Sequence, residues 1–364
     1  MKRVRAIFAV WLILAGVIYV LHGSKAAAAM FIVAAFYCVL ALIMVYVCGK
    51  KLDVTVRGES GVSKNQKAGI TVTSSNGSRL PVPACRLDVS CRNVLTREKQ
   101  EISLIHSCGP NAVKSSTFNI ASIYCGMEDI KIDDVRISDP AGLFSRSRKV
   151  DAGAEVYVMP EIKEIEIPSE YLDSYDMESY SYSQHVKGTD TGEVFGIREY
   201  ADGDNPKQIH WKLSAKMDDL MVKIPSYPIE NKLVVLLDNS IAEGQSLSAD
   251  RRNDLMEMFF SISSSLLKKN IPHSLGWCDH RTGGFILKRI ENENDMWAAV
   301  PEALSAGIEE SMLTTAYRFL EAYGEEYFTN HFIVTATGAV EKELLNEYGQ
   351  VREFICREKD LAAL

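Results

Sequence analysis

Glu199, Asp202, Asp204 and His210 fall within twelve residues of one another. Carboxylates beside an imidazole are the set from which general acid–base catalysis or metal-assisted hydrolysis is assembled. A second polar group, Asp238-Asn239-Ser240, follows the apolar run Leu233 to Leu237. A carboxylate and a hydroxyl at the end of a buried strand are the start of an oxygen cage for a hard cation such as Mg²⁺. Each group also has a plainer explanation. Asp202 and Asp204 flank Gly203 as turn residues do, and Arg198 beside Glu199 suits ion pairing at a strand end. His210 beside Trp211 suits a ring held by one hydrogen bond. The chain has no G-x-S-x-G, H-E-x-x-H or phosphate-loop lysine pattern, and Gly188, Gly192 and Gly196 lack the dinucleotide spacing.

These residues need elements to hold them. Ile197 to Tyr200 reads as a short strand and Ala201 to Asp204 as a turn. A helix is expected to follow directly: Asn205 suits the N-cap, Pro206 the first helical position and Gln208 the reciprocal capping position. Ile209 and Leu213 would then share its inner face, with Trp211 to the side. Leu220 to Ile224 returns as a strand. Lys232 to Asp238 is nearly all apolar, as in a buried parallel strand whose carboxyl end opens into a polar loop.

The series Arg198-Glu199-Tyr200, Gly203-Asp204, Ile209-His210-Trp211, Ser214-Ala215 and the strand into Asp238-Asn239-Ser240 closely resembles the bacterial family called domain of unknown function 58. Asp139-Pro140-Ala141-Gly142-Leu143-Phe144 and two N-terminal apolar spans extend the resemblance to most of the chain. The resemblance implies a membrane-anchored protein with a β-rich domain and a von Willebrand factor A-like α/β domain. It also implies a MoxR-type AAA+ ATPase and a transglutaminase-like membrane protein as company. The A-like family places a metal site at Asp-x-Ser-x-Ser plus a Thr and a further Asp. Here Asp238 and Ser240 are kept, Ala242 replaces the second hydroxyl and Ala336 stands where the further Asp often lies, so the site is degenerate and no cofactor is expected.

Lys2, Arg3 and Arg5 precede an apolar run from Ala6 to Leu21. Alone this could be a signal peptide, but Ala26 to Cys48 is a second uncharged run, about 35 Å long as a helix. Basic residues lie before the first run and after the second (Lys50, Lys51), with Lys25 alone between them, so both ends are expected in the cytoplasm. Eight cysteines without ligand-like spacing fit reduced thiols there. A net charge of −8 and no basic stripe argue against nucleic acid.

The expected architecture is therefore multidomain. Two transmembrane helices occupy residues 1–50 (about 6–22 and 26–48) and a β-sandwich of seven or so short strands occupies 51–160. A linker and motif region with Tyr171, Tyr175, Tyr180 and Tyr182 spans 161–231. An A-like α/β domain fills 232–364, with helices expected at Ala249 to Lys269, Glu293 to Ala306, Glu309 to Tyr323 and Glu341 to Tyr348. The expected function is a non-enzymatic scaffold of the inner membrane that binds protein partners through Arg198, Tyr200, Asp204, His210 and Trp211. The alternative is a metal-dependent ligand-binding module or hydrolase using Asp204, His210 and Asp238.

Overall fold

Apolar runs too long for a small core, then short alternating strands, then strands alternating with helices: the computed structural model follows that order and describes residues 2–23, 25–172, 181–201, 204–217, 219–229, 232–324, 328–339 and 341–356. The chain divides into two compact units, Met1–Glu161 and Ile162–Leu364.

The first unit opens with α1 (Lys2–His22) and α2 (Lys25–Lys51), both long and apolar enough to cross a membrane. Their apolar side chains face outward: Ile7, Val20, Ile32 and Phe36 are exposed, while Ala27, Ala34 and Ala41 form a buried stripe along α2. Such an inside-out pattern, large side chains outward and small ones at the helix contact, is the one a lipid surrounding favours. The two helices meet closely enough for Gly16 to sit against the ring of Phe31.

Eight strands follow: β1 (Leu52–Gly58), β2 (Gly61–Ser63), β3 (Lys67–Asn76), β4 (Val82–Asn93), β5 (Lys99–Cys108), β6 (Val113–Ala121), β7 (Gly126–Ser138) and β8 (Ser145–Met159). They form one sheet ordered β1-β3-β6 and another ordered β2-β8-β7-β4-β5. Strict alternation of buried and exposed residues, as along β3, puts Ile70, Val72, Leu87, Ile130, Ile132 and Val156 into one core between the sheets. The turn between β7 and β8 is built on Asp139, whose carboxylate accepts the backbone N–H of Phe144 at 2.6 Å and of Ala141 at 3.0 Å. Gly142 supplies φ +71° there. Tyr37 of α2 donates its hydroxyl to the same carboxylate at 2.6 Å, so the turn is tied to the helical hairpin.

The second unit begins with a segment lying on α4 (Ala249–Lys268): Lys163 and Ile165 donate backbone N–H groups to Ser261 and Ser265 of that helix. This accounts for buried serines in a helix otherwise packed with Phe259, Phe260 and Leu266. Tyr171 then packs edge-on against Phe332 and Phe354, both of this unit. Tyr175 and Tyr180 lie outside the described residues, and Tyr182 belongs to β9 (Ser181–Glu199).

β9 pairs antiparallel with β10 (Met221–Ile229), and α3 (Trp211–Met217) lies between them in sequence. A five-stranded sheet follows, from β11 (Leu233–Leu237), β13 (His273–Asp279), β14 (Gly284–Ile290), β16 (Asn330–Thr335) and β17 (Gln350–Ile355), ordered β14-β13-β11-β16-β17. All neighbours are parallel except β14, which returns antiparallel on β13. The sheet is accompanied by α4, α5 (Glu293–Ala306), α6 (Thr315–Tyr323) and α7 (Lys342–Asn346).

Two expected helices are corrected. The segment from Glu309 begins as a two-residue strand, β15 (Glu309–Glu310), beside β12 (Ser240–Ile241), and its helix starts only after Thr314 caps the N–H of Tyr317. After Asn205 there is first a single 3-10 turn, Pro206–Gln208, because Ile209 is drawn into a bridge with Val222.

Burial sets the cost of truncation. Ile70→Ala should lower stability in chemical denaturation by about 2–5 kcal/mol, since the side chain is fully buried, whereas Ile105→Ala, 73% exposed on β5, should stay within about 0.5 kcal/mol.

Candidate functional site

The motif residues sit on the β9–β10 hairpin and the short α3 beside it. Val222 faces Arg198 across the ladder and Met221 faces Glu199. Past the strand the chain turns back, and Arg198 closes the turn: its guanidinium reaches both oxygens of Asp204, at 2.7 and 2.5 Å. The same carboxylate accepts the N–H of Ala201 at 2.9 Å, and Tyr200 donates its hydroxyl toward the carbonyl of Asp204. A two-pronged guanidinium–carboxylate pair fixes orientation as well as charge. The hydrogen bond from Arg198 holds the Asp204 carboxyl below its ordinary range. Asp202 lies outside the described residues; Glu199 is exposed.

α3 is fastened to the start of β10 at two points. His210 donates its backbone N–H to Met221 at 2.8 Å, and the N–H of Met221 donates to the Ser214 hydroxyl at 2.8 Å. The His210 ring faces its own helix, its Nδ1 accepting the N–H of Leu213 at 3.2 Å, so it acts as a cap. Trp211 is left outside, with 66% of its surface exposed. Arg198, Tyr200 and Asp204 are thus joined directly, and His210 reaches the same hairpin through the backbone.

Asp238 and Ser240 form a separate group at the carboxyl end of β11. Thr315 donates its hydroxyl to one oxygen of Asp238 and Thr335 to the other, each at 2.9 Å. Burial pushes the Asp238 carboxyl up to about 6 despite these bonds. Next to it, the fully buried Asn239 side chain donates to the carbonyls of Cys278 and Gly307 and accepts the N–H of Cys278.

Thr315 escaped the sequence reading, and Asn239 was named there without a role. Thr315 fell inside an expected helix, and only the fold carries it to a residue 77 positions away. Asn239 carried a weak signal, an amide between two residues already singled out.

The donor set at Asp238 is short of what Mg²⁺ takes. Both oxygens of the one carboxylate already receive hydroxyl protons, and Ala242 and Ala336 add no side-chain oxygen. Among the described residues no three His, Cys, Asp or Glu side chains are grouped to hold a metal ion, so Asp204, His210 and Asp238 are not gathered into one.

No protein-family model matches the chain, and no curated protein does. Among solved structures, one similar to it is the CARDB domain of a Pyrococcus furiosus protein in complex with di-metal ions. Identity is 22% over 30% of this chain and 87% of that one, with a TM-score of 0.23. Another is the Pseudomonas fluorescens alkylpurine DNA glycosylase AlkC, at 13% identity over 32% of this chain and 35% of that one, TM-score 0.22. A third is a Listeria innocua β-glucosidase in complex with isofagomine, at 14% identity over 30% of this chain and 16% of that one, TM-score 0.20. Likenesses this slight carry no argument about function.

The Asp238 carboxyl yields a signed prediction. A carboxyl with a higher pKa folded than unfolded keeps its proton more tightly in the native state, so its stabilising contribution is full below about pH 4 and fades as pH rises to about 6. Asp238→Asn removes the penalty of the ionised form. The variant's stability relative to the parent should be near zero at pH 4 and climb by up to about 3 kcal/mol by pH 7, read as the difference between the two in denaturation across that range. A flat difference would refute it.

Proposed function

We propose that this chain is a membrane-anchored scaffold that docks other proteins and makes or breaks no bonds itself. Trp211 carries the reading: an exposed indole on a short helix whose start and middle are hydrogen-bonded to one strand. A large aromatic presented on a rigid support, with little side-chain entropy left to lose, is the residue type that dominates binding energy at protein interfaces. Arg198 and Asp204 supply a fixed, oriented polar rim beside it.

The resemblance to the domain of unknown function 58 gives this scaffold its company, a MoxR-type AAA+ ATPase and a transglutaminase-like membrane protein. The order of the five-stranded sheet, with β14, the third of its strands in chain order, antiparallel at one edge, supports a von Willebrand factor A-like reading. The distribution of Lys and Arg around α1 and α2 favours an inner-membrane hairpin with the rest of the chain on the cytoplasmic side.

In detergent extracts of native membranes the full chain should retain the ATPase, and Trp211→Ala should weaken that binding at least about 30-fold, the factor of an interface hot spot. Asp204→Asn should weaken it too, with the melting temperature almost unmoved. A Mg²⁺-dependent rise in melting temperature that disappears in Asp238→Ala would replace this reading with the metal-dependent one.

A further inference from the structure

Where α1, α2 and the β7–β8 turn meet, the first unit has an open cleft of about 490 Å³ bordered by Arg5, Leu42, Ile43, Tyr46, Phe144 and Arg146. Its two sides differ in chemistry. Leu42 and Ile43 continue the outward apolar flank of α2, and Phe144 faces them from the turn. Arg5 and Arg146 are cations, and Lys50 adds a third beside them: its Nζ lies 4.7 Å, and the guanidinium carbon of Arg146 4.9 Å, from the centre of the Tyr46 ring. Arg5 spends its Nε on the carbonyl of Leu143 at 2.7 Å, which fixes the guanidinium at the mouth. Among the described residues none of these three cations is ion-paired with a carboxylate, although the whole chain carries a net charge of −8.

The depth of the cleft identifies what meets it. Arg5 stands 17 residues from His22 on α1, and Leu42 stands 17 residues from Lys25 on α2. Both are therefore level, about 26 Å from the connection at a helical rise of 1.5 Å per residue. That is close to the thickness of the hydrocarbon layer, about 30 Å. A bilayer crossed by this hairpin has its headgroups at the cleft.

We propose that the cleft is a binding site for an anionic phospholipid, phosphatidylglycerol or a relative. Arg5 and Arg146 take the phosphodiester oxygens, Lys50 adds positive field, and Leu42, Ile43 and Phe144 receive the first methylenes of an acyl chain. A guanidinium suits this role because it stays charged and can present two N–H groups to two phosphate oxygens. The inference rests on the reading that α1 and α2 span a membrane and adds to it the lipid chemistry and the residues.

The test uses the full chain in neutral detergent, with the melting temperature and native mass spectra recorded on titration with phosphatidylglycerol, phosphatidylcholine and inorganic phosphate. Phosphatidylglycerol should stabilise the chain and remain bound, and the other two should do neither. Arg5→Ala and Arg146→Ala should each weaken lipid binding about five-fold, the factor for one basic side chain near an anionic surface. Arg5→Lys with Arg146→Lys should keep most of the selectivity, and Arg86→Ala, on the exposed face of β4, should change nothing.

Equal stabilisation by phosphatidylcholine, protection by inorganic phosphate, or undiminished binding in the double alanine variant would overturn the lipid site. In each of those cases the membrane anchor still stands if alkaline carbonate fails to extract the chain from membranes. Release of the parent chain by carbonate overturns both.

Discussion

Backbone and side-chain polar groups in a closed turn must be paired, whether buried or at the surface, and three aspartates do this for the loops around them. Asp139 gathers two backbone N–H groups of its own turn and the Tyr37 hydroxyl of α2, which lets an irregular stretch lie against an apolar helix. Asp204 gathers Arg198 and the N–H of Ala201, giving a fixed shape to the turn after β9. Asp238 takes the hydroxyls of Thr315 and Thr335, joining the end of β11 to α6 and β16. Each carboxylate closes a loop from inside. Each accepts hydrogen bonds from its own surroundings, which on the scaffold reading leaves it a structural part.

That economy bears on the choice between binding and catalysis. A catalytic carboxylate needs room for substrate and a proton to move, and Asp204 already holds a guanidinium against both oxygens. The His210 ring, the other half of an acid–base pair, is spent on the first turn of α3. Trp211 is the member of the motif with nothing to satisfy inside the chain and most of its apolar surface in water. Burying such a ring against a partner gains far more than burying an already paired ion, for which lost hydration offsets Coulomb attraction.

Much of this fold was legible because its signals are local. The apolar runs of α1 and α2, the alternation in β3 and β7, and α5 at Glu293–Ala306 follow from periodicity within a dozen residues. The errors arise where a distant partner overrules a local tendency. Glu309–Glu310 extends because Ser240–Ile241 offers it a ladder, and Thr314, a good N-cap, marks the true helix start. Ile209 leaves its expected helix for a bridge to Val222. The Ser/Tyr/Gly stretch of β9 lacks the apolar alternation of a half-buried strand, and its pairing with β10 supplies what composition does not. For the site, Arg198 and Asp204 could be read from one short stretch, whereas Thr315 and Thr335 reach Asp238 only through the topology of the sheet.

Charge is distributed as unevenly as hydrophobicity. Forty-eight acidic residues outnumber forty basic ones, yet Arg5 and Arg146 border one cleft, and Lys50 shares the Tyr46 ring with Arg146. Mutual repulsion works against such a grouping, and the ring's quadrupole offsets it only in part. In water, acidic side chains nearby would relieve it at little cost. At the edge of a bilayer the same acids would have to lose hydration, and lipid phosphates would repel them. On the reading proposed above, in which α1 and α2 cross a bilayer, an excess of cations at its edge and an excess of anions over the rest of the chain serves both solvents at once.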